Sequence, residues 1–145
     1  MAAVIDFEAI YAALFALAQS IDGLTTTSRK LESWSKVPAA NQPALFQVEK
    51  NYQPTQRQGL PAVWLLHAEW YLYVSGEAQD QLPSVQLNRL LKQIVEALPP
   101  TTDATQIQTL GGLVQRCWIT GEIETDEGVL GSQRVAIVPI EILAA

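Results

Sequence analysis

The chain has 145 residues, the usual size of one domain, and 48% of them are apolar, enough to fill a core. A net charge of −6 argues against a grip on nucleic acid built from phosphate neutralisation, though not against a channel wall past which DNA slides. One cysteine, Cys117, excludes an intrachain disulfide, and together with the single histidine it excludes a zinc site of Cys and His within one chain.

Charged residues make up 17% of the chain, below the usual share of roughly a quarter. Either partner chains cover part of the surface, or Gln, Thr and Ser provide the polar exterior. The start, Met1-Ala2-Ala3-Val4-Ile5-Asp6, has no basic leader region, and no apolar run is long enough to span a membrane. Synthesis and retention in a cytoplasm are expected, and a lone free thiol suits a reducing compartment.

Residues Asp6 to Ile21 carry Phe7, Ile10, Tyr11, Leu14, Leu17, Ala18 and Ile21 at helical spacing, with Asp6 as N-cap and Gly23 as terminator. Leu24 to Asn41 has no sustained period and predicts a short strand or extended arm followed by a loop. Gln42 to Lys50 predicts a strand entered through Pro43, and Asn51 to Gly59 a polar turn region. Leu60 to Ser75 is the strongest strand signal. Trp64, Leu66, Ala68, Trp70, Leu72 and Val74 form a wholly apolar face, against an amphipathic one of Val63, Leu65, His67, Glu69, Tyr71 and Tyr73.

Ser84 to Leu98 predicts a second helix, capped by Ser84 and stopped by Pro99-Pro100. Thr101 to Gly112 is a loop. Leu113 to Glu124 predicts a third strand, Asp126-Glu127-Gly128 a turn, and Arg134 to Ile142 the last strand, in which Pro139 favours an edge or a bulge. Strands in hairpin-like pairs predict an α+β fold. Its mixed or antiparallel sheet has about four to five strands, with two helices packed on one face of a single domain over 1–145.

Chemistry-bearing constellations are sparse. His67 and Glu69 share a strand face and would make a base and its orienter, or an interfacial pair. The acidic stretch Glu122 to Gly128 lacks the calcium-loop pattern. Gly111-Gly112 is followed by a strand where a phosphate loop needs a helix. Trp34 stands among Arg29, Lys30 and Lys36, the composition of an interface anchor, or else it folds back onto its own domain. No cofactor or metal is expected. From Gly23 to Leu60 five Lys/Arg face two acids, a local charge of +3. From Pro100 to Ala145 two basic residues face six acids, a local charge of −4. Head-to-tail copies could pair these segments across a ring interface.

The order of motifs resembles the lambda-type tail terminator (tail completion) proteins of tailed bacteriophages. An N-terminal helix is followed by Thr26-Thr27-Ser28-Arg29 and Trp34, then by Gln42-Pro43-Ala44-Leu45 opening a strand. The long aromatic strand Val63 to Val74 precedes the second helix. Thr109-Leu110-Gly111-Gly112-Leu113-Val114 leads into Ile119-Thr120-Gly121-Glu122-Ile123, and Val138-Pro139-Ile140-Glu141-Ile142 closes the chain. The resemblance implies a hexameric ring that caps the tail tube in the virion and offers a face to a head-closure or neck protein. It also implies a central hole that passes DNA, and no catalysis. The basic segment, with Arg29, Lys30, Trp34 and Lys36, would then lie on a face that meets another neck or tail protein. Competing expectations are another neck or connector subunit, a small-molecule module with a pocket lined by Tyr71 and Tyr73, and a small enzyme using His67 and Glu69.

Overall fold

The computed structural model describes residues 5–75, 83–127 and 133–145. The first helix, α1, spans Phe7–Gln19, and the Asp6 carboxylate caps it by accepting from the Ala9 amide at 3.0 Å. Its buried stripe is Ile10, Tyr11, Leu14 and Ala18. Gly23 then turns the chain with φ +96°, a backbone state open to glycine at no steric cost.

A short strand β1 (Thr26–Ser28) pairs in parallel with β2 (Ala44–Arg57). The crossover between them holds two 3₁₀ turns, Trp34–Lys36 and Ala39–Asn41. Strand β2 forms a long antiparallel hairpin with β3 (Leu60–Ser75), β3 pairs with β6 (Gln133–Ala144), and β6 pairs with both β4 (Arg116–Ile119) and β5 (Glu124–Glu127). Helix α2 spans Pro83–Ala97. The six-stranded sheet runs β1-β2-β3-β6-β4, with β5 beside β4 on β6. This is an α+β fold with a mixed sheet, and both helices pack against the apolar face that β3 presents.

Several expected boundaries move, each for a local reason. Asn51 to Gly59 is strand as far as Arg57, not turn, because two register shifts carry the ladder outward: β2 absorbs one extra residue at Lys50, and β3 absorbs one between Leu60 and Val63. The first bulge reverses the alternation: Leu45 and Gln47 face the helices, and beyond Lys50 so does Tyr52. Leu113 to Glu124 breaks into β4 and β5 around Gly121, φ +74°, which gives six strands. Asp126 and Glu127 belong to β5, and Gly128 lies outside the described residues. Pro83 begins α2, so Ser84 sits inside the first turn, not at the cap. Pro139 is in β6, an interior strand. Its carbonyl accepts from the Thr120 amide, so its missing N–H also points to that side, into the gap between β5 and β4.

Core order is set by one buried polar group. Gln47, fully buried, donates Nε2 to the Tyr11 carbonyl at 3.0 Å and accepts from the Trp70 indole N–H at 3.0 Å. It ties α1, β2 and β3 together under a shell of Leu14, Leu45, Leu66 and Leu72. Replacing Gln47 with Leu strands the indole N–H in the core and costs about 1–3 kcal/mol in urea unfolding. The cost of Gln47→Leu combined with Trp70→Phe falls short of the sum of the single costs by about 1 kcal/mol, because the double variant leaves no orphaned partner. Strict additivity would show that the bond carries no stability.

Candidate interaction surface

Among the described residues, helices cover only one face of the sheet. On the other, β2 contributes Phe46 and Val48, β3 contributes Val63, Leu65, His67, Glu69, Tyr71 and Tyr73, and β6 contributes Val135, Ile137, Pro139, Glu141 and Leu143. Strand β4 adds Arg116 and Trp118, and β5 adds Glu124 and Asp126. The β1–β2 crossover covers one end of this face. Val37 packs on Ala44, Phe46 and Tyr73, with Trp34 at their border, and the Tyr73 hydroxyl donates to the Glu32 carbonyl at 2.7 Å. The remainder, centred on His67, is half-buried by its own neighbours.

That remainder pairs charge with aromatic surface. His67 Nε2 lies 3.6 Å from Glu141 Oε1, directly across the β3–β6 ladder. Glu69, two residues along from His67, is engaged elsewhere: Lys50 Nζ is 3.4 Å from its Oε1, and Tyr71 donates to the same oxygen at 3.2 Å. Burial, reinforced by the Glu69 charge, pushes the Tyr71 phenol above its ordinary range. The Arg116 guanidinium lies 4.0 Å from the centre of the Trp118 ring. Glu141 as the partner of His67 escapes sequence inspection because the two are 74 positions apart, and only the β3–β6 register joins them.

Cys117 and His67 stand on opposite sides of the sheet. Cys117 is fully buried on the helix side of β4, where burial pushes its thiol up to about 12 and holds it protonated. Among the described residues no three His, Cys, Asp or Glu side chains converge to hold a metal ion. Nor is any described helix long and apolar enough to cross a membrane.

The basic segment divides into separate environments. Arg29 is a clamp: its guanidinium reaches both Glu8 oxygens at 2.6 and 2.9 Å and Glu49 Oε1 at 2.6 Å, joining the end of β1 to α1 and β2. Trp34 is half-buried against the Val37–Phe46–Tyr73 cluster, while Lys30 and Lys36 are exposed. The segment thus combines one clamped arginine, one half-buried tryptophan and two exposed lysines.

The Arg29 hydrogen bonds hold the Glu8 carboxyl below its ordinary value of 4.5. A depressed carboxyl stabilises the fold above the unfolded-state value and loses that contribution as pH falls through the folded-state value. Asp103, bonded by the Thr105 amide and hydroxyl, acts in the same direction below 3.8. Arg29→Ala should therefore unfold at lower urea than the wild type at about pH 6, and the two midpoints should approach each other by about pH 3. A gap independent of pH would show that Arg29 acts through packing alone. No protein-family model matches this chain, and a search of curated proteins finds no match.

Proposed function

We propose that the chain is a structural virion protein, a subunit of a hexameric ring that caps the tail tube of a tailed bacteriophage and ends its elongation. The ring's other face receives a head-closure or neck protein, and DNA passes through the centre. The phage assignment rests on the motif order from Thr26-Thr27-Ser28-Arg29 to Val138-Pro139-Ile140-Glu141-Ile142. The observation that favours an assembly role is the second sheet face, where Leu65, Tyr71, Ile137, Leu143 and Trp118 sit half-buried with no helix of the described residues over them. Apolar and aromatic side chains ringed by paired charges have the composition of a surface that meets another protein.

An acidic chain suits this task. A bore that passes DNA works better when it repels phosphate than when it holds it, and the net charge of −6 has the required sign. No catalytic step and no cofactor belong to this reading.

Light scattering of the purified protein, with negative-stain microscopy in the presence and absence of tail tube, tests it. Six-fold rings, or tubes of fixed length capped at one end, are the expected outcome. Binding to the portal or its adaptor in place of the tube would assign the chain to head closure. A stable monomer that ignores tubes would overturn the assembly reading.

A further inference from the structure

The two charged segments lie on opposite edges of one sheet. Beside β1 and β2 are Lys30, Lys36, Lys50 and Arg57, all exposed. Across β3 and β6, β5 and the residues leading into it carry Glu122 and Glu124, both exposed, and Asp126, half-buried, while β4 beside it carries Arg116 stacked on Trp118. Lys50 and Glu124 both belong to the uncovered face: Lys50 meets Glu69 there, and Glu124 adds to the negative field at Tyr71. Strands β2 and β5 are three ladder steps apart, roughly 14 Å. That exceeds the Debye length of about 8 Å at physiological salt, so the two edges do little to neutralise each other within one chain.

The basic edge also projects. From Lys50 to Pro61 every residue of the β2–β3 hairpin is exposed, including Tyr52 at 48% and Leu60 at 61%. At its tip an open depression of about 540 Å³ is lined by Gln56, Arg57, Gln58, Leu60 and Ala62. Arg57 braces the tip by donating to the Pro61 carbonyl at 3.0 and 2.7 Å. The outward edge of β2 is a poor template for strand addition, because Pro54 lacks a donor and the bulge at Lys50 breaks its regularity. Contact at this edge therefore runs through side chains.

We infer that the basic β2 edge and hairpin tip of one copy dock on the acidic β5 edge of the next, head to tail. This inference rests on the ring reading above and names its subunit interface. A second copy is the occupant because each chain carries both complementary edges, bordering the same face. Such a contact is heterologous, so it generates a ring when the rotation closes. The uncovered faces of successive copies then turn the same way around that ring.

Charge reversal tests the interface in the full chain. Lys50→Glu with Arg57→Glu reverses the charge at the two β2 positions of the basic edge, and Glu124→Lys with Asp126→Lys reverses it at the two β5 positions of the acidic edge. Each variant alone should lose about tenfold or more in ring association while still folding, the Lys50 and Arg57 pair unfolding at a somewhat lower temperature because it gives up the Glu69 ion pair and the bonds to the Pro61 carbonyl. Mixed in equal amounts they should alternate and restore a ring with an even number of subunits. Rings that persist in both variants, or a mixture of folded variants that stays monomeric while the wild type forms rings, would overturn this interface and leave the ring reading standing. A wild type that forms no ring and ignores tubes would overturn the ring reading itself. Should either variant fail to fold, wild-type rings are titrated from about 0.1 to about 1 M salt, which shortens the Debye length from about 10 to about 3 Å. Dissociation is expected, and rings indifferent to salt would overturn the proposal.

Discussion

The Gln47 side chain decides how this molecule is layered. Its amide is fully buried, so both ends need partners, and it finds them on different elements: the Tyr11 carbonyl of α1 and the Trp70 indole of β3. Apolar packing alone would let α1 slide or rotate on the sheet at small cost, because leucine and isoleucine contacts are not directional. Two hydrogen bonds in a dry environment remove that freedom. With α1 held over β2 and β3, Glu8 comes within reach of Arg29, and Arg29 in turn ties the end of β1 to Glu49. Phe7 then meets Tyr52 and Trp64 edge-on, which anchors the base of the hairpin to the helix.

Placing both helices on one face leaves the other for the rest of the chain to manage. The crossover from β1 to β2 covers only the end around Val37, Phe46 and Tyr73. The part around His67 is finished with cross-strand pairs, His67 with Glu141 and Lys50 with Glu69, and with Arg116 stacked on Trp118. These pairs satisfy charge locally while leaving aromatic surface beside them. The same economy appears at the edges, where bulges and Pro54 discourage unguided strand pairing and leave charge to select the partner.

Much of this was legible in the residues. The α1 stripe, the Asp6 cap, the Leu60–Ser75 strand and its two faces all follow from periodicity, and each reappears in the structure within a residue or two. Sequence inspection was weaker where the phase of the alternation changes. Lys50 as a bulge looks like a polar residue starting a turn, so the outer half of β2 reads as loop. Gly121 marks a break only once β6 is known to receive β4 and β5 separately. Pro139 signals an edge, yet an interior strand accommodates it because its bare nitrogen faces the gap between two short neighbours.

By itself the sequence determined the class of fold, the core-facing residues of α1 and β3 and the separation of positive and negative charge along the chain. Those properties depend on local periodicity and on counting, both of which are linear. Tertiary structure alone decided that the two charged segments fall on opposite edges of one sheet, that Arg29 closes on Glu8 and Glu49, and that His67 faces Glu141. These depend on strand order and register, which join residues tens of positions apart and leave no local pattern for the chain to display.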